Sequence, residues 1–168
     1  MIWTAVSGSW RHTAPGMEED VRQAVTAALA AGKSIVTGGA LGTDYWAADT
    51  ALKMAPDRLM VILPVTLDTY AAHYRRRARE RVIRADQAET LITQLKAVAK
   101  VGGLVEHPDR PQTVDTTTYY LRDQDVIDQA DELLAFQVND SLGTKDTIAR
   151  ARRKGIPVTH RTYYVAAS

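Results

Sequence analysis

Cysteine is absent from the 168-residue chain. That absence excludes disulfides, thiolate-held metals, iron–sulfur clusters and cysteine nucleophiles, and it accords with a reducing compartment. No apolar run approaches the roughly 20 residues of a membrane span, and the segment from Met1 to Trp10 is too short and polar for a secretory signal. Charge of one sign is not in excess either. The formal net charge is +1, so bulk electrostatics points to neither nucleic acid nor membrane. Three glycine signatures are missing: the Gly-x-Gly-x-x-Gly dinucleotide turn, the phosphate loop ending in Gly-Lys-Ser/Thr, and the Gly-x-Ser-x-Gly elbow of serine hydrolases. His12, His73, His107 and His160 are scattered, with no pair at metal-ligand spacing. The expectation is a cytoplasmic, non-membrane protein, one domain over 1–168, with no metal and no cofactor.

What is present is an alternation. Ile2 to Val6 is a short apolar run, followed by Met17, Val21, Ala24, Val25, Ala28 and Leu29 at helical spacing and a stop at Gly32. Ser34 to Thr37 reads as a strand. Thr43 or Asp44 can cap the next helix, and Leu59 to Leu63 is a third strand. Strand, helix, strand, helix, strand predicts βαβ units. From about Thr69 to Lys100 the pattern is helical with a break near Ala85-Asp86, and Ala88, Leu91, Ile92, Leu95, Val98 and Ala99 form one stripe. That stripe suits core packing, and its position also suits an interface in a homo-oligomer. A short strand at Leu104–Glu106, a helix at Thr116–Ala130, a strand at Glu132–Val138, a helix at Gly143–Lys154 and an edge strand at Pro157–Tyr164 complete the reading. The fold class is therefore α/β: a Rossmann-like, doubly wound, mostly parallel sheet with helices on both faces and a helical insert at about 67–115.

Three small-residue turns fall at strand ends: Ser7-Gly8-Ser9, Gly38-Gly39-Ala40-Leu41-Gly42-Thr43-Asp44, and Ser141-Leu142-Gly143-Thr144. In open α/β sheets ligands bind outside the carboxyl ends of the strands. Glycines let backbone N–H groups approach an anion, and the helix starting after each turn adds partial positive charge. Gly42-Thr43 and Gly143-Thr144 place two such helix starts at one sheet edge. Lys145 beside the last turn can neutralise a phosphate, and Trp10 can stack a base.

Gly38 to Asp44, followed by Ala47-Ala48, resembles the Gly-Gly-Ala-x-Gly-x-Asp-x-x-Ala signature of DprA-like proteins and of the wider SLOG superfamily, which includes LOG phosphoribohydrolases and molybdenum-cofactor carriers. Tyr119 to Asp123, Ala130 to Phe136, Gly143-Thr144 and Ala149 to Val158 follow the same order of elements. The resemblance covers most of 2–56 and 118–159. It implies a Rossmann-like domain that binds nucleotides or their derivatives. It also places the arginine of the LOG pattern on Arg122. The glutamate of that pattern falls on Thr147, and its proline and first glycine fall on Asp140 and Ser141. Threonine cannot stabilise an oxocarbenium-like centre or activate water as a carboxylate does.

The leading expectation is a nucleotide or nucleotide-derived phosphate held by Ser7, Gly8 and Ser9, by Gly38, Gly39, Ala40, Gly42, Thr43 and Asp44, and by Arg122, Ser141, Gly143, Thr144 and Lys145. A hydrolase of N-glycosidic or phosphoester bonds is a second reading, with Arg122, Asp44 and Asp146 as candidate catalytic residues. A third is a DprA-like binder of single-stranded DNA. Six arginines lie between Arg75 and Arg84, and Arg75, Arg76, Arg77 and Arg79 would meet the phosphates. The same run also suits a solvated, ion-paired helix face.

Overall fold

The computed structural model of the chain describes residues 1–166. The chain runs β1 (Trp3–Gly8), α1 (Met17–Ala30), β2 (Ser34–Gly38), α2 (Thr43–Met54), a 3-10 turn (Pro56–Arg58), β3 (Leu59–Ile62), α3 (Leu67–Arg79), α4 (Ala85–Lys100), β4 (Leu104–Val105), α5 (Thr116–Gln129), β5 (Glu132–Val138), α6 (Leu142–Lys154) and β6 (Val158–Tyr163). The strands form one sheet in the order β4-β3-β2-β1-β5-β6. Every neighbouring pair is parallel, so the sheet is wholly rather than mostly parallel. β1 lies between β2 and β5, with Val6 opposite both Thr37 and Leu134.

Alternation along the strands divides the core. Val6 and Ile35 face a cluster with Met17, Val21 and Val25 of α1, Ala47 and Ala51 of α2, and Leu91, Leu95 and Val98 of α4. Ala5, Val36 and Leu133 face the other way, onto Val126 and Ile127 of α5 and Ile148 and Ala151 of α6. The period of two makes each strand serve both layers. The stripe from Ala88 to Val98 is used within the chain's own core, with Leu91, Leu95 and Val98 fully buried, while Ala99 is exposed. Segment 67–115 supplies α3, α4 and the edge strand β4, which joins the sheet beside β3.

Two local expectations change. The helix break comes at Glu80–Arg84, just before Ala85, where Arg81 takes a positive φ of 61°. Neither Thr43 nor Asp44 caps α2. Gly42 stands at the N-cap with φ 71°, and no side chain caps the helix. A Cβ at Gly42 would come within 2.8 Å of Trp10 Cα and 2.9 Å of Ser9 O, so this glycine lets the first and second turns touch.

The winding direction reverses at β1. β1 to β4 progress to one edge, and α5 then returns the chain to β5 on the far side of β1. The carboxyl ends of β1 and β5 diverge there, leaving a crevice at a topological switch point.

Candidate functional site

A cleft of about 360 Å³ opens at this switch point. Its floor is Ser7-Gly8-Ser9 at the end of β1, Gly38 and Ala40 at the end of β2, and Asp44 of α2. One wall is a stripe of α5, Thr116, Tyr119, Tyr120, Asp123 and Val126, spaced as one helical face, with Arg122 at its inner edge. The other is the start of α6, from Ser141 to Thr144, with Thr147 one turn on. Trp10, Arg11 and His12 form the rim, where the Arg11 guanidinium lies 5.1 Å from the Trp10 ring centroid.

Serine hydroxyls join the first and last turns. Ser9 Oγ accepts from Val138 N at 2.9 Å and lies 2.8 Å from Ser141 Oγ. Ser141 Oγ donates in turn to Thr144 Oγ1 at 3.1 Å. Ser141 is the N-cap of α6, but its hydroxyl caps no backbone N–H, and no acidic residue stands in the first turn. Among the described residues nothing accepts from the first amides there, which leaves them open to an anion. The β5–α6 turn needs left-handed backbone at Asn139 (φ 49°) and Asp140 (φ 56°). Asn and Asp tolerate that region better than most residues.

Arg122 is the centre of the charge network. It is 7% exposed, and Nε donates to Asp123 Oδ1 at 3.2 Å. Among the described residues, buried Nη1 has no hydrogen-bond partner. The guanidinium has five N–H donors, and Nε–H is the one engaged. Its Cζ lies 5.3 Å from the Tyr119 ring centroid. Burial works against the charge, yet Asp123, Tyr70 and Asp44 more than compensate and hold the guanidinium well above its usual range.

Asp44 receives Thr37 Oγ1 at 3.0 Å and Ala40 N at 3.3 Å. Burial raises its carboxyl above the usual range, against the opposing pull of Arg122 and these hydrogen bonds. Asp123 is pushed up to about 6, chiefly by burial and further by Asp146 and Asp44, although Arg122 pulls the other way. Burial thus raises both acids while each still pulls the guanidinium towards its charged form, so the three groups form one coupled, desolvated network at the cleft.

The predicted site residues separate into groups. Ser7, Gly8 and Ser9 line the cleft, as do Gly38, Ala40 and Asp44, and Arg122, Ser141, Gly143 and Thr144. Gly39 does not. Its Cα faces Leu63 and Leu95, and its carbonyl accepts from Tyr70 OH at 3.0 Å. Gly42 and Thr43 lie behind the wall, where Thr43 Oγ1 donates to Ser9 O at 3.1 Å. Lys145 is exposed and outside the lining. Asp146, one residue further, accepts from Arg150 Nε at 2.7 Å and is also outside it. Thr147 reaches the cleft, while its hydroxyl donates to Gly143 O at 3.1 Å.

Sequence reasoning gave no role to Asp123, Tyr119, Tyr120 and Thr116. Their shared helical face, in register with Arg122, was the available signal. Among the described residues there is no cluster of potential metal ligands, and no helix is long and apolar enough to cross a membrane.

The arginine run ends up on α3 and the α3–α4 turn, and much of it is paired. Arg75 meets Glu89 at 3.0 Å, Arg76 and Arg77 meet Glu80 at 3.7 and 3.2 Å, and Arg84 meets Asp86 at 3.0 Å.

No family model matches the chain, and no curated protein sequence matches it. Solved structures do. DNA processing protein A of Helicobacter pylori, described for its single-stranded DNA binding mode, superposes with a TM-score of 0.72 at 19% identity, over 95% of this chain and 64% of that one. DNA processing protein A (DprA) of Streptococcus pneumoniae gives a TM-score of 0.61 at 18% identity, over 99% of this chain and 51% of that one. The molybdenum cofactor binding protein of Rippkaea orientalis gives 0.58 at 16% identity, over 96% and 77%. The chain thus spans between half and two thirds of the length of the DprA chains. With its six parallel strands in doubly wound order, the chain has the Rossmann-like fold of these solved structures.

Proposed function

We propose that the cleft binds a nucleotide or a nucleotide-derived phosphate ligand. The observation that carries this reading is Arg122, a buried guanidinium with a hydrogen-bonding atom left without partner at the wall of a cleft. A buried donor without an acceptor costs about 1–3 kcal/mol, and an oxyanion seated against the guanidinium offsets part of the cost of burying its charge. The uncapped start of α6 supplies further N–H donors at the same edge. Tyr119, Tyr120 and Trp10 offer aromatic surface for a base. Calorimetry with nucleoside mono- and diphosphates and ADP-ribose tests the reading. Binding by the wild type is expected to fall about 100-fold or more in Arg122→Met and to recover in part in Arg122→Lys. Uniform absence of binding by folded wild type would overturn it. Turnover, if present, draws on Asp44 or Asp123 with Arg122, since Asp146 is engaged by Arg150. Free base or phosphate released above the Arg122→Met background in the same samples is its signature.

A second reading, binding of single-stranded DNA, is supported by the DNA-binding description of the Helicobacter protein and by Arg79 and Arg81, which form no ion pair among the described residues. Pairing of Arg75, Arg76, Arg77 and Arg84 weakens that patch. Oligonucleotide binding through it would weaken steeply with salt and with charge neutralisation at Arg76 and Arg79. Binding indifferent to both removes the patch from consideration. Cytoplasmic location and assembly with a second copy remain parts of this proposal.

A further inference from the structure

Asp123 has one carboxylate oxygen committed and one free. Oδ1 accepts from Arg122 Nε at 3.2 Å, and among the described residues Oδ2 accepts from nothing. The side chain is 13% exposed and lines the cleft, so the free oxygen borders the same space as the unpartnered guanidinium. Neighbouring residues of α5 therefore present opposite polarities to one ligand, a donor at Arg122 and an acceptor at Asp123.

We infer that Asp123 selects the ligand, accepting a hydrogen bond from a neutral O–H or N–H group while the phosphate lies with Arg122 and the start of α6. This inference rests on the nucleotide-binding reading and narrows its ligand class. A nucleotide offers such a donor from two sources, a ribose hydroxyl or an exocyclic base amine. A sugar phosphate without a hydroxyl at the right place offers none.

Protonation of Asp123 at the free oxygen turns a carboxylate acceptor into a hydroxyl that donates and accepts only weakly. The charged groups that face it are Arg122 on its own helix, Asp44 from α2, and Asp146 with its partner Arg150 from α6. Their balance leaves it titrating near 6. Above that pH it accepts, and below it the preference for a donor-bearing ligand fades.

The test compares ratios, because phosphate itself titrates in this range. Affinities of AMP, 2′-deoxy-AMP, 3′-deoxy-AMP and IMP are measured at pH 5 and pH 7.5 by calorimetry on wild type and Asp123→Asn. In the variant Oδ1 still accepts from Arg122, and an NH2 group replaces the free oxygen, so the acceptor becomes a donor. Asp123→Ala, which removes both, guards against rearrangement of the amide. At pH 7.5 wild type should prefer AMP about tenfold over one partner in the set, a deoxy form if the donor is ribose and IMP if it is the amine. That preference should fall towards one at pH 5 and in both variants. The Asp123 carboxyl carbon, followed by NMR, should titrate at lower pH with the preferred nucleotide bound. Equal affinities across the set in wild type, or a preference unchanged in both variants, would overturn the inference and leave the phosphate site standing. Absence of all binding would overturn both.

Discussion

Gly38 is where the backbone of β2 comes closest to the ionised groups of the cleft. A Cβ there would overlap Arg122 Nη1, stand 2.6 Å from Arg122 Cζ and 2.8 Å from Asp44 Oδ2. The guanidinium cannot retreat freely, because Nε is held by Asp123. Gly38→Ala is therefore expected to cost about 1–3 kcal/mol by overpacking and to displace Arg122 from the wall. Gly143, across the cleft, is the contrast: no atom lies within 4 Å of a Cβ built on it, and its φ is not positive. Gly143→Ala should shift stability by less than about 0.5 kcal/mol. Urea unfolding of the two variants beside wild type measures the difference, and equal stabilities would mean that Gly38 is not packed as described. Both glycines stand in similar motifs, so the sequence alone ranks them together. It is the docking of α5 that separates them.

Elements were legible where one periodicity dominated. α1 with Met17, Val21, Val25 and Leu29, and β5 over Glu132–Val138, lie where their patterns placed them. So does β6, with Thr159 to Thr162 exposed at the sheet edge. The boundaries that moved are governed by contacts remote in sequence. Asp44 looked like a helix cap, but its carboxylate reaches back to Ala40 N and Thr37 Oγ1. This orientation requires Gly42 to bring the α2 start against Trp10 and Ser9. α5 is fixed by a local device, the reciprocal bonds of Asp115 and Thr118 at 3.0 Å each. That capping pair explains where the helix begins. It does not reveal which face meets α6, and so Asp123 and the tyrosines, part of the same matched segment, received no site role while Arg122 did. The arginine run illustrates the opposite limit. Its helical placement was readable, but its pairing with Glu89 depends on the packing of α4 on α3.

For the whole molecule, the doubly wound order places two buried acids, both raised by burial, beside the crevice, and this should be visible in stability. Asp123 titrates near 6 in the folded chain, against about 3.9 when unfolded. The folded state therefore binds this proton more tightly. Its stabilising contribution is complete below about pH 4 and is lost as pH rises through about 6, a change of order 3 kcal/mol at most. Asp44 is shifted in the same direction. His73, lowered by burial and by Arg76 and Arg77, works in the opposite sense near its ordinary range. Comparison with Asp123→Asn removes that contribution, since His73 is common to both proteins. The variant should melt close to wild type at pH 4.5 and several degrees above it at pH 7, where wild type carries a buried carboxylate. A bound nucleotide recovers part of this penalty by supplying partners to Arg122 and Asp123. At 100 times its dissociation constant a ligand adds about 2.7 kcal/mol, worth roughly 5–10 °C for a domain of this size. That rise should be present in wild type at pH 7 and absent in Arg122→Met. A melting temperature of Asp123→Asn that tracks wild type from pH 4.5 to 7 would show that Asp123 is not held in a desolvated cleft.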